Sequence, residues 1–153
     1  MRIGEIIEQD HIVIIDKKYK KNELIKILLR KLCDLDNLDN FNEIYVQLLE
    51  REKLGSTAIG NGVALPHVRI SVINKPHILI CVVTKGIDFE ASDKRAVRII
   101  FLLLTPDKDI TLHLNLLAHI SHIVKDTEFV KRVSSSSDNL AIYNILLEEE
   151  SKL

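Results

Sequence analysis

One stretch of the chain groups an arginine, two hydroxyl residues, three glycines and a histidine in a way that could handle phosphate. It reads Arg51-Glu52-Lys53-Leu54-Gly55-Ser56-Thr57-Ala58-Ile59-Gly60-Asn61-Gly62-Val63-Ala64-Leu65-Pro66-His67. Gly55, Gly60 and Gly62 are three of only five glycines in the chain, and glycine is favoured where a backbone turns sharply or lets something approach closely. Pro66 fixes its own φ, has no N–H and biases Leu65 toward extended geometry. His67 therefore follows a short Val63-Ala64-Leu65 strand on a stiffened backbone. Phosphoryl transfer needs an in-line nucleophile and donors for the equatorial oxygens rather than elaborate covalent chemistry. An imidazole titrating near neutrality suits the first task, and the planar, permanently charged fork of Arg51 suits the second. The hydroxyls of Ser56 and Thr57 could join a phosphate shell or stabilise the turn. On local chemistry alone the stretch is more simply a glycine-rich β-turn, with His67 a surface or satisfied core residue and Arg51 a solvated helix residue.

The elements that would position these residues follow from periodicity. Ile12-Val13-Ile14-Ile15 reads as a short strand, and Leu24, Ile27, Leu28, Leu32 and Leu35 recur at helical spacing. Asn40 or Asn42 can cap a second helix running to Leu54, with Gly55 as its stop, so Arg51 falls in the last turns. His77 to Thr84 and Arg95 to Leu104 are apolar, β-branched-rich runs bounded by Pro76, Gly86 and Pro106, as expected of strands covered on both faces. Asp109 can cap an apolar helix from Ile110 to about Val124. Two shorter helices follow, starting at Asp126 or Thr127 and within Ser134 to Ser137. Glu148-Glu149-Glu150 reads as a solvated, fraying helix end, poorly placed against the helix dipole. This alternation predicts an α/β fold with a mixed, mainly parallel sheet flanked by helices on both faces.

Composition narrows the function classes. The 153 residues, 46% apolar, suit a single domain spanning 1–153 with no linker. Lys and Arg total 21 against 22 acidic residues without strong segregation, so neither nucleic-acid binding nor anionic-membrane binding by bulk charge is indicated. No apolar run approaches the length of a membrane span, and the N-terminus has no apolar signal segment, which predicts a cytoplasmic protein without direct membrane insertion. Cys33 and Cys81 read as buried structural thiols. His119 and His122 lie three apart on a helix, but no neighbouring carboxylate or thiolate pattern completes a metal site. His11 and His77 begin strand candidates and carry no functional signal. A metal-dependent hydrolase is the weakest functional reading, because the required spacing is missing.

Arg51, Glu52, Ser56, Thr57, Gly60, Gly62, Pro66 and His67 resemble the active-site signature of the enzyme IIA domains of the bacterial phosphoenolpyruvate-dependent sugar phosphotransferase system. The class is the fructose/mannitol one that includes the nitrogen-regulatory enzyme IIA. The run Ile99 to Pro106 followed by His113-Leu114-Asn115-Leu116-Leu117-Ala118 resembles that family's second element, and Gly86-Ile87-Asp88-Phe89 with Asp93 resembles a third. Ala58 departs from the pattern, standing where glycine is common. The resemblance implies that His67 is phosphorylated by the histidine phosphocarrier protein and passes the group to an enzyme IIB or signals to a regulated target protein. It implies no cofactor and no metal, with His67, His113 and Arg51 as catalytic residues and Arg51, Ser56, Thr57 and His113 holding phosphate. Lying about four residues after the cap Asp109, His113 would be disfavoured as a cation by the helix dipole and could donate one N–H. Such a chain is a phosphohistidine-carrying transferase component rather than a free-standing enzyme. The Arg-Glu-Lys-Leu-Gly-Ser-Thr wording is more similar to the nitrogen-regulatory branch, with a sugar-specific enzyme IIA as the alternative.

Overall fold

The computed structural model describes residues 1–153. Two 3-10 turns, Ile3–Glu5 and Gln9–His11, lead into strand β1 (Ile12–Ile15). Helices α1 (Lys21–Asp36) and α2 (Phe41–Lys53) follow, then the short strands β2 (Ala58–Gly60), β3 (Val63–Ala64) and β4 (His67–Ile70). The long strands β5 (His77–Ile87) and β6 (Val97–Pro106) precede helices α3 (Ile110–Ile123), α4 (Thr127–Ser134) and α5 (Asn139–Ser151).

The sheet runs β1-β5-β6-β3-β2, with β4 also on β6. β1 on β5, and β3 and β4 on β6, are parallel; β5 on β6 and β2 on β3 are antiparallel. This is the expected mixed, mainly parallel sheet, although its longest pairing, β5 with β6, is antiparallel. Side chains alternate between faces along a strand, and β5 and β6 use both faces. Leu79, Cys81, Val83, Ile100, Leu102 and Leu104 pack on α1 and α2. Ile78, Ile80, Val82, Ile99, Phe101 and Leu103 pack against residues of α3, α4 and α5. The continuous apolar runs are thus explained by helical cover on both sides. Both cysteines are free and buried, and no helix is long and apolar enough to cross a membrane.

The caps at Asp109 and Asp126 accept first-turn amides as expected. At α5 the cap is Asp138, whose carboxylate accepts from the Leu140 amide, and not one of the serines. The buried stripe of α1 also rotates relative to expectation: Ile25, Leu29 and Cys33 are buried with Leu24, Leu28 and Leu32, whereas Ile27 and Leu35 are only partly covered.

Two polar clusters depart from the sequence reading. His11 and His77 both donate to Asp36 at the end of α1, through His11 Nε2 at 2.7 Å and His77 Nδ1 at 2.6 Å. His11 Nδ1 accepts the Glu8 amide at 3.1 Å, which fixes its tautomer. Burial alone would raise the Asp36 carboxyl, but the two imidazole hydrogen bonds and their charge more than offset it and hold the group below its ordinary value.

The second correction concerns the acidic end of α5. Only Glu148 meets water, paired with Arg132 at 3.2 Å. Glu150 is 1% exposed, and its carboxylate accepts the amides of Ile3 at 2.7 Å and Gly4 at 2.8 Å and a bond from His119 Nε2 at 2.6 Å. The first 3-10 turn has free amides that need acceptors, and α5 is laid across it. The carboxylate is buried because it satisfies them. Glu150→Ala strands two buried N–H groups and one imidazole, so it should cost about 1–3 kcal/mol. Urea unfolding should show a lower midpoint with an unchanged slope.

Candidate active site

The route to His67 begins in a reversal of the chain that few residue types permit. Gly60, Asn61 and Gly62 carry φ of 94°, 56° and 73° in succession, a left-handed path open to glycine and tolerated by asparagine. The Gly62 carbonyl then accepts the Arg98 and Ile99 amides of β6 at 2.8 and 3.1 Å. From there β3 and β4 run along β6 in one register: Ala64 pairs with Ile100 and His67 with Leu103. The ladder lapses between them at Pro66, which has no N–H to give, though its carbonyl still accepts from Leu103 at 3.0 Å. His67 therefore opens β4 rather than ending the preceding strand. By the two-residue alternation of Val63, Leu65 and His67, its ring faces the side covered by α3.

His67 is half-buried. Its Nδ1 lies 2.6 Å from the Leu65 carbonyl, and because a carbonyl only accepts, Nδ1 carries the proton. Nε2 is then the unprotonated nitrogen. Burial is the main cause that pushes His67 below its ordinary value, and the Arg51 charge adds to it; the Leu65 bond and Glu52 act in the opposite sense.

The His113 ring, in the first turn of α3, sits 5.6 Å from the His67 ring, centre to centre, tilted by 48°. It is 7% exposed, and Nδ1 lies 2.5 Å from Thr105 Oγ1. The buried Thr105 hydroxyl has no other recorded partner, so it donates to Nδ1 and leaves the His113 proton on Nε2. Burial, then the charges of His67 and Arg69, push His113 down to about 4. His113 is consequently a neutral N–H donor at physiological pH.

Arg51 stands in the last turn of α2, where its guanidinium donates to the Gly55 carbonyl at 2.9 Å. The neighbouring Glu52 is buried and organises the loop. Its carboxylate accepts the Thr57 amide at 3.2 Å and the Thr57 hydroxyl, and pairs with Lys21 Nζ at 2.7 Å. Lys21 in turn lies over the Phe89 ring at 4.7 Å, and the Phe89 carbonyl accepts the Ser56 hydroxyl at 2.5 Å. The hydroxyls of Ser56 and Thr57, read as joining a phosphate shell or stabilising the turn, both donate to protein acceptors here, the Phe89 carbonyl and the Glu52 carboxylate. Gly86 and Ile87, read as opening a turn, lie in β5, and Phe89 just beyond it anchors the same loop from the other side, while Asp93 accepts the Arg95 amide at 3.0 Å.

Arg69, Thr105 and Lys21 were not identified from sequence. Arg69 pairs with Thr105 in register and lies two residues beyond His67, on the same face; that spacing on a strand was a readable signal. Thr105 and Lys21 had none: Lys21 pairs with Glu52 in the next helix, and Thr105 meets His113 only through the packing of α3 on β6.

The family model for the phosphoenolpyruvate-dependent sugar phosphotransferase system, EIIA 2, matches residues 5–149. A nitrogen regulatory protein of Bradyrhizobium diazoefficiens is 34% identical over 146 residues, covering 95% of each chain. The crystal structure of the nitrogen regulatory protein IIA-Ntr from Neisseria meningitidis superposes with a TM-score of 0.85 at 29% identity, covering 94% of this chain and 98% of that one. The Escherichia coli mannitol enzyme IIA, determined in complex with its phosphorylated enzyme IIB, superposes with a TM-score of 0.75 over 93% and 96% of the two chains; at 16% identity this likeness is one of fold.

The lowered values carry a sign. A histidine whose native pKa lies below its unfolded value contributes stability that is fully present above the unfolded value, near 6.5, and declines as pH falls toward the native value. For His113 that window runs from 6.5 down to about 4. Wild type should lose stability on acidification through this range, and His113→Gln should flatten the loss. An NMR titration of the imidazole resonances should place His113 near 4 and His67 below the ordinary histidine range.

Proposed function

This chain belongs to the EIIA 2 family of the phosphoenolpyruvate-dependent sugar phosphotransferase system, and on that premise we propose that it is a cytoplasmic phosphocarrier whose His67 reads out the phosphorylation state of the system. The observation that carries the proposal is the pairing of His67, whose Nδ1 is tied to Leu65 and whose Nε2 is free, with the neutral donor His113. The Nε2 lone pair attacks phosphorus. The P–N bond to the donor's imidazole breaks, its electrons return to that ring, and the proton on Nδ1 stays where Leu65 holds it. His113 Nε2–H donates to one equatorial oxygen. Arg51 and Arg69 meet the remaining charge, and neutral rings avoid setting two imidazolium ions side by side.

The donor under this reading is the histidine phosphocarrier protein. The likeness to nitrogen regulatory proteins favours a regulatory output, in which the dianionic phosphate on His67 changes which target protein docks on the surrounding face. Passage of the group to an enzyme IIB, as in a sugar-specific enzyme IIA, is the alternative, and the fold of the mannitol protein is compatible with it. Residues 1–153 act as one unit in either case. Ser56 and Thr57 serve the site by holding its loop rather than by direct contact.

Incubation with phosphoenolpyruvate, enzyme I and the histidine phosphocarrier protein should place acid-labile, base-stable phosphate on wild type and none on His67→Ala, read by mass. His113→Ala should still be labelled, at a rate lower by about 100-fold, and Arg69→Gln should also be slowed with its unfolding midpoint unchanged. Phosphate recovered on His113 would reverse the assignment. Rapid loss of label to an enzyme IIB would favour the sugar-specific reading.

A further inference from the structure

A second cationic feature lies at the far end of β6, away from His67. A cavity of 540 Å³ opens between the Asn61–Gly62 turn, the start of β6 and α4, and is bordered by Arg95, Arg98, Lys131 and Asn61, with Thr127 and Ser134 completing its polar rim. No carboxylate lines it. None of the three cations enters an ion pair, and the only side-chain bond among them is one from Arg98 to the Thr84 carbonyl at 3.0 Å. Of the acidic groups flanking these segments, Asp93 accepts the Arg95 amide and Asp126 the amides of Glu128 and Phe129, while Glu128, one turn before Lys131 on α4, forms no ion pair with it.

In a chain whose charges nearly balance, three unpaired cations around one concavity raise the local potential and repel one another. An anion relieves that repulsion. A cavity of this volume is in the range that holds a small organic ligand, and far exceeds the needs of one phosphate group. Only two of its lining residues are apolar, which argues against a hydrophobic guest. We propose that this cavity binds a small soluble molecule carrying two or more phosphate groups, with Arg95, Arg98 and Lys131 on the phosphates and the Asn61 carboxamide on the remainder. An occupant would touch the turn whose Gly62 carbonyl anchors the start of the strand path to His67. The inference is independent of the role assigned to His67, because no residue is shared between the two sites.

The test is an NMR titration of the full chain with inorganic triphosphate at low salt, with orthophosphate as a parallel arm. Saturable shifts should cluster at the amides of Asn61, Gly62, Arg98 and Lys131 and leave those of His67 and Arg69 in place. Triphosphate should bind at least about tenfold more tightly than orthophosphate, and the double variant R95Q/K131Q should weaken it at least about tenfold. Both replaced side chains lie at the surface, so the thermal midpoint should not move. The variant K17Q/K18Q removes the same charge elsewhere and should bind as wild type does. Shifts confined to His67 and Arg69, equal weakening in the two double variants, or no saturable shift would each overturn the proposal.

Discussion

The buried carboxylate of Glu52 is the contact on which the geometry of the active site depends. It ties the end of α2 and the adjoining loop at Thr57 to the start of α1 through Lys21 and, indirectly, to Phe89 beneath Lys21. Burying a carboxylate is costly unless it is paired and fully hydrogen-bonded. Here one ammonium, one amide and one hydroxyl satisfy it. The arrangement fixes the last turn of α2, and therefore Arg51, relative to the glycine turn that sets up His67. Removing either partner would leave a buried charge, so the loop has little freedom to drift.

Around that anchor, the proposed chemistry rests on keeping two histidines neutral for different tasks. Both are desolvated, which disfavours the imidazolium form. Each then has one nitrogen committed to the protein, with opposite outcomes. The Leu65 carbonyl keeps a proton on Nδ1 of His67 and leaves a lone pair on Nε2, whereas the Thr105 hydroxyl takes up the Nδ1 lone pair of His113 and leaves a proton on Nε2. Under the proposed phosphocarrier reading, one ring is the nucleophile and the other a donor by virtue of the partner atom. Proline at position 66 contributes by interrupting the ladder with β6 at the point where His67 must enter it.

Two further carboxylates secure the periphery by the same logic. Asp36 gathers His11 and His77, and Glu150 gathers the first turn and His119. Three of the six histidines, His11, His77 and His119, are bound to carboxylates in this way, while His67 and His113 bond to the Leu65 carbonyl and the Thr105 hydroxyl. A chain with balanced charge and few aromatics has used its histidines mostly as hydrogen-bonding struts between segments.

Much of this was present in the sequence. Apolar runs specified β5 and β6, although Gly86 and Pro106, read as their boundaries, lie within the strands; an aspartate before an apolar helix specified the cap at Asp109, and the clustered glycines marked the turn before His67. These are local properties, set by backbone sterics and by periodicity over a few residues. The signature residues also indicated which histidine to watch. What tertiary structure decided were the partnerships between segments: Glu52 with Lys21, Asp36 with two histidines and Glu150 with the first turn across long stretches of chain, and Thr105 with His113 across the β6-to-α3 connection. A linear string of charges reads as a solvated face until packing removes the water, and the acidic end of α5 was read so for that reason. The tautomers that distinguish the two proposed roles were likewise undetermined, because a histidine's protonated nitrogen is chosen by whatever atom the fold brings to its other side.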